Sequence, residues 1–493
     1  MSIDAIRALV TGGKPLVIGD DAAPADVIDM ARKHGVRMID FKFTDLPGTW
    51  QHMGLSIGAL DEESFTDGLG FDGSSIRGFQ QIAESDMLLM PDPTTAKIDP
   101  FYQDPTLSLI CNILDPITRE SYSRDPRYVA QKAVEHLKST GIADTAFFGP
   151  EAEFYVFDHV SYDQSTHGSH YEVDTEEAYW HMGSGHREGG NLGHKIRSQE
   201  GYFPAPPSDT QADLRGLMVM TLEALGVACE FHHHEVGGPG QGEIDIRFQP
   251  LVAMADTLML HKYIVKNVAR AAGKTATFLP KPIYEENGSG MHVHQSLWKD
   301  GQTLMFDEGG YGLCSDLALS YIAGILEHGR ALMAFCAPTT NSYRRLVPGY
   351  EAPVNLVHSQ RNRSAACRIP MYLASPKAKR IEFRPPDPMA NPYLAFPALM
   401  MAGLDGIQRS LKPGSPVDTD LFDLTEEELS KIAHVPESLE LAMDALEADH
   451  GFLTNGGVFT EDLISEWIAY KRAEASEISM RPHPWEFALY YDG

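Results

Sequence analysis

The chain has 493 residues, of which 43% are hydrophobic and 22% are charged, a balance typical of a globular protein with a large core. Its 69 acidic and 40 basic residues leave a net charge of −29, which argues against non-specific nucleic-acid binding and against docking on anionic lipid. The five cysteines are widely spaced and form no CxxC pair, so we expect reduced thiols in a cytoplasmic protein.

The N-terminal part of the chain mixes predicted helices and strands. Residues 23–34 have helical spacing of apolar side chains, whereas 37–44 alternate polar and apolar side chains as a strand does. Residues 107–114 predict a second, buried strand, and Asp125-Pro126 is typical of a helix N-terminus. We therefore place a domain boundary near residue 122.

The remainder of the chain has a long irregular segment and a helical tail. Residues 159–208 show little periodicity, and we expect a loop insertion there with a helix near 175–180. A helix is predicted at 209–225, and two or three helices are predicted within 444–493. The chain ends in an aromatic sequence, 483–491, which we expect to be buried against its own domain or against a partner subunit.

Signals for export or for membrane insertion are not evident. The first residues do not form a basic segment followed by an apolar one, so we expect no signal peptide. The longest apolar stretch, 317–337, is interrupted by Glu327, His328 and Arg330, so we expect no membrane-spanning helix.

Residues i and i+2 of a strand point to the same face. By this rule, four predicted strand regions each carry several polar or charged residues on one face. A half-exposed antiparallel strand alternates for solubility alone, and this interpretation stays open for each strand taken singly. Two further carboxylates, Glu235 and Glu243, flank a glycine-rich turn. The residues that share faces are Glu151 with Glu153, His292 with His294 and Ser296, and Arg380 with Glu382 and Arg384.

Paired carboxylates on these faces repel one another unless a cation lies between them. Five glutamates and one histidine therefore predict sites for hard divalent ions such as Mg²⁺ or Mn²⁺, and two such ions would form a phosphoryl-transfer centre. The tract His232-His233-His234 is weaker evidence, since neighbouring residues alternate faces, and we expect it to be structural. The six predicted ligands are Glu151, Glu153, Glu235, Glu243, His292 and Glu382.

Arginines form a second cluster in this acidic chain. Solvated surface charge is one interpretation, but arginine is preferred where phosphate or carboxylate is bound through two parallel hydrogen bonds. Gly273-Lys274-Thr275 resembles the end of a P-loop, yet Val268 occupies the first glycine position, so we expect ATP to be held by metals and arginines. The arginines are Arg344, Arg345, Arg361, Arg363, Arg368, Arg380 and Arg384.

Several long motifs resemble those of bacterial type I glutamine synthetase, from about residue 36 to the C-terminus. The resemblance implies an α+β protein with an N-terminal β-grasp domain, 1–122, and a catalytic domain with a C-terminal helical tail, 123–493. It also implies a curved, largely antiparallel catalytic sheet. The motifs are F-D-G-S-S at 71–75, E-S-D-M at 84–87, N-G-S-G-M-H-V-H at 287–294, N-S-Y-R-R-L-V-P-G-Y-E-A-P at 341–353, R-N-R-S at 361–364 and R-I-E-F-R-P-P-D-P at 380–388.

The activity implied by this resemblance is the ATP-dependent ligation of ammonia to L-glutamate through γ-glutamyl phosphate, giving L-glutamine, ADP and phosphate. Two Mg²⁺ or Mn²⁺ ions per site and ATP as co-substrate are implied as well. The family assembly is a dodecamer of two stacked hexameric rings, with each active site between subunits. The F-D-G-S-S loop would come from a neighbouring subunit, and the aromatic tail would dock into the opposite ring.

Residue roles follow from the resemblance by matching motif positions. The first metal would be held by Glu153, Glu235 and Glu243, and the second by Glu151, His292 and Glu382. The nucleotide and phosphate contacts would be Glu230, His294, Ser296, Arg363, Arg368, Lys377 and Arg380. The glutamate-binding residues would be Asn287, Gly288, Arg345, Glu351 and Arg384. Ammonium would be bound and deprotonated by Asp72, with Ser75, Tyr202 and Glu351 nearby. Among these, Asp72, Glu351 and Arg363 are the expected catalytic residues.

One departure concerns regulation. Family members under adenylylation control carry tyrosine in a motif like L-Y-D-L, whereas this chain has Phe422 in L-F-D-L. Phenylalanine has no hydroxyl, so adenylylation at that position is chemically excluded. We expect control by feedback inhibitors or by a small regulatory protein instead.

Three other functions remain open at this stage. A glutamate–amine ligase acting on a polyamine would keep the metals and change the ammonium pocket, although intact Asp72, Ser75, Asp86 and Tyr202 favour ammonia. An inactive structural protein on the same fold would not need the ligands that this chain retains. A dimetal phosphohydrolase would leave the glutamate-binding residues unexplained.

Overall fold

The computed structural model describes residues 1–79, 85–181, 192–347, 352–372, 375–418 and 432–493. The helices in these ranges are α1 (Ile3–Thr11), α2 (Pro24–Lys33), α3 (Glu63–Thr66), α4 (Pro126–Thr140), α5 (Ala212–Ala224), α6 (Leu251–Ala271), α7 (Asp316–Glu327), α8 (Gly329–Cys336), α9 (Ser342–Arg345), α10 (Pro392–Gln408), α11 (Leu439–Ala448), α12 (Gly451–Thr454), α13 (Glu461–Ser479) and α14 (Pro484–Tyr490). The strands are β1 (Met38–Thr44), β2 (Trp50–Ser56), β3 (Leu69–Asp72), β4 (Asp86–Pro91), β5 (Lys97–Asp99), β6 (Thr106–Leu114), β7 (Thr145–Ala152), β8 (Phe154–Phe157), β9 (His159–Gln164), β10 (Ser169–Asp174), β11 (Cys229–His234), β12 (Gln241–Ile246), β13 (Gln249–Pro250), β14 (Thr275–Thr277), β15 (Met291–Lys299), β16 (Gln302–Thr303), β17 (Asn355–Ser359), β18 (Ala365–Arg368) and β19 (Ile381–Phe383).

The N-terminal sheet has the strand order β2-β1-β6-β4-β3, with β5 paired to β6. The strands predicted at 37–44 and 107–114 are confirmed as β1 and β6, which run parallel to each other. The turn after β1 requires glycine, since Gly48 has a φ of 97° and a Cβ there would lie 2.8 Å from the Cβ of Asn391. This close approach joins the N-terminal sheet to the start of α10.

The structure agrees with the predicted start of α4 and with two predicted helix spans. The side chain of Asp125 accepts a hydrogen bond from the Arg127 N–H at 3.0 Å, and Pro126 occupies the first turn of α4. The helices predicted at 23–34 and 209–225 are confirmed as α2 and α5.

Two sheets form the catalytic part of the fold. One has the order β13-β7-β15-β19-β18-β17, with β16 against β15, and the other has the order β11-β12-β8-β14. All recorded pairings within them are antiparallel except that of β17 with β18. The predicted α+β class, with an N-terminal β-grasp sheet followed by a largely antiparallel catalytic sheet, is confirmed.

The predicted strand that carries Glu151 and Glu153 divides into two. Residues up to Ala152 belong to β7 in one sheet, and residues from Phe154 belong to β8 in the other. Glu153 lies at the division, where its backbone N–H donates to the carbonyl of Gly290 at 3.1 Å. The two catalytic sheets are therefore joined at a predicted metal ligand.

The segment predicted as a loop at 159–208 contains a hairpin, since β9 and β10 pair antiparallel with Tyr162 opposite Tyr171. The helix expected near 175–180 is wrong, because the chain there forms turns. The buried carboxylate of Glu177 accepts a hydrogen bond from the Thr210 N–H at 2.7 Å and contacts His234 at 3.2 Å. These tertiary contacts outweigh local helix propensity.

The apolar stretch 317–337 forms α7 and α8, which meet at His328. Gly324 allows α7 to approach α10, because a Cβ there would lie 2.0 Å from the Ala402 carbonyl oxygen. Across the described ranges, every helix is too short or too polar to cross a bilayer.

All five cysteines are free thiols, and all but Cys229 are buried, as expected.

Three helices, α12–α14, lie within 444–493, as predicted, and α11 begins before this range, at Leu439. Trp467 of α13 is buried and donates its indole N–H to the Ala334 carbonyl at 3.0 Å. The last helix, α14, differs because its aromatic side chains are exposed, with Trp485 at 63% and Tyr490 at 68%. This end is therefore not buried against its own domain, and its burial against a partner subunit stays a prediction.

Candidate active site

Strand register brings the first group of predicted ligands together. β15 lies between β7 and β19, with His292 opposite Glu151 and His294 opposite Glu382. These residues lie on adjacent strands and on the same face of the sheet, so their four side chains converge. Their positions in the sequence nevertheless span more than half of the catalytic region.

The first cluster consists of Glu151, His294 and Glu382, whose ligand atoms lie within 4.8 Å of one another. The two carboxylate oxygens of Glu151 contact His294 Nε2 at 2.8 Å and His292 Nδ1 at 3.3 Å. Burial opposes ionisation of Glu151, but the two histidines hold the pKa of its carboxyl well below the usual range. Of the two histidines, only His292 was predicted to belong to this ligand set, whereas in the structure both His292 and His294 contact Glu151.

Glu382 also joins the cluster to two arginines. Its Oε2 accepts a hydrogen bond from Arg368 Nη1 at 2.7 Å, and its Oε1 accepts one from Arg384 Nη1. The Nε atoms of both arginines are buried and have no hydrogen-bond partner in the described structure. Each guanidinium therefore keeps a donor for an anionic ligand.

The second cluster consists of His233, Glu243 and Asp245, whose ligand atoms also lie within 4.8 Å of one another. His233 of β11 lies opposite Glu243 of β12, and Asp245 follows Glu243 by two residues on the same strand. Sequence analysis missed Asp245, although the i, i+2 pattern could have identified it. It treated His233 as structural, a description that fits His234, which contacts the Gly201 carbonyl at 2.7 Å.

Glu153 and Glu235, the other two predicted ligands, lie beside this cluster. The carboxylate of Glu153 accepts hydrogen bonds from the Gly290 N–H at 3.0 Å and from Gln241 Nε2 at 2.9 Å. Burial and the neighbouring charge of Glu235 raise the pKa of Glu153 to about 8. Glu235 Oε1 lies 3.6 Å from His233 Nδ1, and burial raises the pKa of its carboxyl as well.

The donor set fits hard divalent cations. Burial and the charge of Glu151 raise the pKa of Glu243 well above the usual range, so anionic carboxylates are unfavourable here without positive charge. Carboxylate oxygens with imidazole nitrogens are suitable ligands for Mg²⁺ or Mn²⁺. Asp245 supports this fit, because its buried Oδ1 has no hydrogen-bond partner in the described part of the chain.

Gln241 connects these carboxylates to the predicted glutamate-binding backbone. Its Nε2 donates to Glu153 and, at 3.2 Å, to the Gly288 carbonyl, while its Oε1 accepts from the Gly237 N–H at 2.7 Å. The neighbouring Tyr155 donates its hydroxyl to the Asn287 carbonyl at 2.5 Å. Both residues are buried, and sequence analysis did not single out either of them.

Arg345 lies behind the same backbone. Its Nη1 donates to the Pro385 carbonyl at 2.8 Å, and desolvation lowers the pKa of its guanidinium. A Cβ at Gly290 would lie 2.5 Å from Arg345 Nη2, so the glycine allows this arginine to pack closely. Glu351, its expected neighbour in the site, lies outside the described residues.

The predicted nucleotide contacts occupy several places around the first cluster. His294 Nδ1 accepts a hydrogen bond from Arg380 Nε at 3.1 Å, and the Ser296 hydroxyl accepts one from the Trp298 indole at 3.0 Å. Glu230 is exposed on β11, where Arg247 Nε donates to it at 3.2 Å. Two further contacts, Arg363 before β18 and Lys377 in the turn Pro376–Ala378, are exposed.

The predicted ammonium-site residues lie in different parts of the fold. Tyr202 stacks on Phe203 at 3.9 Å and lies 5.8 Å from the His233 ring, above the second cluster. Asp72, the last residue of β3, and Ser75, in the short helical turn that follows, are instead exposed at the N-terminal sheet. Hydrogen bonds from Ser74 hold the pKa of the Asp72 carboxyl below its usual range.

Family and sequence comparisons cover nearly the whole chain. The family description "Glutamine synthetase, catalytic domain" matches residues 123–490, and "Glutamine synthetase, beta-Grasp domain" matches 35–116. Glutamine synthetase of Frankia alni is 58% identical over 468 residues, covering 95% of this chain and 98% of the relative. The Mycolicibacterium smegmatis glutamine synthetase is 56% identical over 470 residues, covering 95% of this chain and 98% of that protein.

Solved structures show the same fold. Plasmodium falciparum glutamine synthetase superposes with a TM-score of 0.88 at 28% identity, covering 97% of this chain and 100% of that one. A complex of GmaS with ADP superposes with a TM-score of 0.79 at 25% identity, covering 95% and 100% of the two chains.

Proposed function

The chain belongs to the glutamine synthetase family, and from this premise we propose how its own residues carry out ATP-dependent synthesis of glutamine. The observation that carries the proposal is the pair of ligand clusters at the junction of two sheets, with arginine donors beside one of them. Relatives at 56–58% identity are glutamine synthetases, so the amine-ligase and structural alternatives are not favoured.

We assign the predicted metal ligands to two divalent cations, Mg²⁺ or Mn²⁺. Glu153, Glu235 and Glu243 would hold the first. Glu151, His292 and Glu382 would hold the second. When bound, the cations would neutralise charge on the phosphates of ATP. The proximity of His233, Asp245 and His294 supports these assignments, because they enlarge the two donor sets.

The arginines would bind the transferring phosphoryl group. Arg368 and Arg384, held in place by Glu382, keep N–H donors for phosphate or carboxylate oxygens, and Arg380 is held against His294. In the first step, a γ-carboxylate oxygen of glutamate attacks the γ-phosphorus of ATP, and ADP leaves. Arg363 and Lys377, both exposed, would contact phosphate oxygens, with Glu230 and Ser296 on the nucleotide side.

Glutamate would lie against the loop of Asn287 and Gly288, with Arg345 and Arg384 beside its carboxylates. This loop is held by Tyr155 and Gln241, so its carbonyl and amide groups are positioned before the substrate binds.

The second step requires ammonia as nucleophile. Ionised Asp72 would attract ammonium and accept its proton. Ammonia would then attack the carbonyl carbon of γ-glutamyl phosphate, the C–O bond to phosphate would break, and the leaving phosphate would take the proton that the nitrogen loses. Ser75 and Tyr202 would line this pocket, and Glu351 would cover it against water.

We also propose the family assembly for this chain, a cytoplasmic dodecamer of two hexameric rings. The exposed α14 supports contact between rings, and the separation of Asp72 from both clusters supports sites shared between subunits. The domain boundary near residue 122 belongs to the same proposal. Phe422 lies outside the described residues, and regulation by feedback inhibitors or a small protein partner follows from its missing hydroxyl.

The test is ADP release with ATP, Mg²⁺ and glutamate, with ammonium or a larger amine as the second substrate and mass spectrometry of the product. We expect release to require ammonium and to yield glutamine. Release that requires a polyamine would establish the amine ligase instead. Folded protein that releases no ADP with any amine or metal would refute the catalytic assignment.

A further inference from the structure

A cavity of about 490 Å³ lies between the N-terminal sheet and the helices of the catalytic part. One wall contains β5 and β6 residues such as Ile98 and Leu109, and the other contains α6 residues such as Val252 and Leu260. Its volume is in the range of small-molecule sites, which often occur between domains. None of the residues assigned above to metals or substrates lines it.

Lys97 is the distinctive polar group of this cavity. Its Nζ donates to the Leu225 carbonyl at 3.0 Å, at the C-terminal end of α5. Among the described residues, no carboxylate oxygen lies within 4.0 Å of this ammonium. Burial lowers the pKa of Lys97, partly offset by the charges of Asp256 and Asp20. A half-buried ammonium without a close counter-ion is less stable than one that a ligand's anion accompanies.

The other two cations that line the cavity are already paired with carboxylates. Lys42 lies 3.0 Å from Asp99, which also accepts a hydrogen bond from the Tyr263 hydroxyl. Arg127 makes two hydrogen bonds to Asp256, at 2.9 and 3.0 Å. Lys97 is therefore the cation that is open to an added anion.

We propose that this cavity binds a small carboxylate with an apolar body. The carboxylate would pair with Lys97, and the apolar body would lie against Ile98, Val252 and Leu260 and the aromatic rings of Trp50 and Tyr263. Because the two walls belong to different sheets and helices, the ligand would tighten the contact between the N-terminal and catalytic parts of the chain. Such a site is separate from the ligand clusters and does not depend on the proposed reaction.

The probe is phenylacetate, titrated into the full-length protein by isothermal calorimetry, with phenethylamine and 2-phenylethanol as cationic and neutral analogues. We expect phenylacetate to bind with a dissociation constant on the order of 1 mM. Phenethylamine should not bind, and 2-phenylethanol should bind at least about tenfold more weakly, because neither supplies an anion to the ammonium.

Variants locate the binding. Lys97→Met should weaken phenylacetate binding by at least about tenfold, whereas Lys97→Arg should retain it. The matched control is Lys299→Met. Lys299 Nζ also donates to a carbonyl at the end of a helix, that of Gly141 at 2.5 Å, but Lys299 lies outside the cavity. Val252→Phe should abolish binding by filling the cavity while Lys97 is kept.

Three results would overturn the proposal. The first is the absence of saturable phenylacetate binding at concentrations tenfold above that expected constant. The second is equal binding of the acid and the alcohol, which would make the ammonium irrelevant. The third is unchanged affinity in Lys97→Met or Val252→Phe, which would place the ligand elsewhere. If Lys97→Met does not fold, Lys97→Arg and Val252→Phe still decide the question.

Discussion

At the residue scale, the proposed active site depends on side chains that do not themselves meet metal or substrate. Gln241 is an example, because its single amide contacts the carboxylate of Glu153, the carbonyl of Gly288 and the N–H of Gly237. It thereby links one proposed metal ligand, the glutamate-binding loop and the turn that follows Glu235. Partners that orient metal ligands commonly affect metal affinity nearly as much as the ligands do.

Gln241→Met should therefore weaken both Mn²⁺ binding and glutamate binding. Methionine keeps the volume but removes all three hydrogen bonds, so we expect metal affinity to fall by about 10- to 100-fold. The KM for glutamate should rise more than the KM for ATP, because the Gly288 contact lies on the glutamate side. Manganese titration by electron paramagnetic resonance and steady-state kinetics measure these effects.

The matched control is Gln131→Met on α4, where the glutamine amide donates to Asn112 Oδ1 at 3.1 Å away from both clusters. It should leave metal affinity and both KM values unchanged. An effect of Gln241→Met on thermal stability alone, with normal metal affinity, would contradict the positioning role.

At the scale of secondary-structure elements, His328 joins four helices. It lies between α7 and α8, and its ring contacts Asp405 of α10 at 2.9 Å and Asp449, after α11, at 2.8 Å. The ring also stacks on Phe452 of α12 at 4.0 Å. Burial alone would favour the neutral ring, but the two aspartates raise the pKa of His328 above its usual value.

This raised pKa predicts the pH dependence of stability. Protonated His328 donates to both aspartates, so its contribution is complete below the unfolded pKa of about 6.5 and is lost as pH rises through the folded pKa. We expect His328→Gln to lower stability by about 2 kcal/mol at acidic pH and by less at alkaline pH. Thermal unfolding of both proteins across this pH range measures the difference.

A second ion pair, in which only the histidine is exposed, provides the comparison. His52 contacts Asp40 at 2.6 Å, but its side chain is 60% exposed, so His52→Gln should cost less than about 1 kcal/mol. A destabilisation by His328→Gln that stays constant from acidic to alkaline pH would show that the charge on the ring is unimportant.

At the scale of the whole molecule, a single chain separates groups that the proposed reaction needs together. Asp72 is exposed at the end of β3 in the N-terminal sheet, whereas both ligand clusters lie in the catalytic sheets. The aromatic face of α14 is exposed as well, and large apolar patches of this kind mark contacts between subunits. The proposed closed oligomer, in which neighbours complete each site, would account for both features.

Mixing two inactive variants tests this arrangement. Asp72→Ala and Glu153→Gln should each abolish most activity, because one removes the proposed base and the other a proposed metal ligand. If each site takes Asp72 and Glu153 from different chains, co-refolded or co-expressed mixtures should recover roughly a quarter of wild-type activity. Separately assembled variants, mixed without subunit exchange, are the control and should stay inactive. A co-assembled mixture that also stays inactive would place both residues in one chain's site.

Local patterns in the sequence were sufficient for much of the fold. The spans of α2, β1 and β6 and the start of α4 followed from periodicity and capping, since these depend on residues close together in the chain. The alternation at Glu151, His292 and Glu382 likewise indicated a shared face before their strands were known to be neighbours. Motif resemblance supplied the family and the expected roles, which the sequence pattern alone could not.

Tertiary structure decided which side chains meet. The pairing of His233 with Glu243, the division of one predicted strand at Glu153 and the hydrogen bonds of Gln241 all depend on register between strands distant in sequence. The turns around Glu177 and the cavity beside Lys97 depend on packing between distant elements. No short window of sequence contains that information, because burial and strand register are set by the free energy of the whole packed chain.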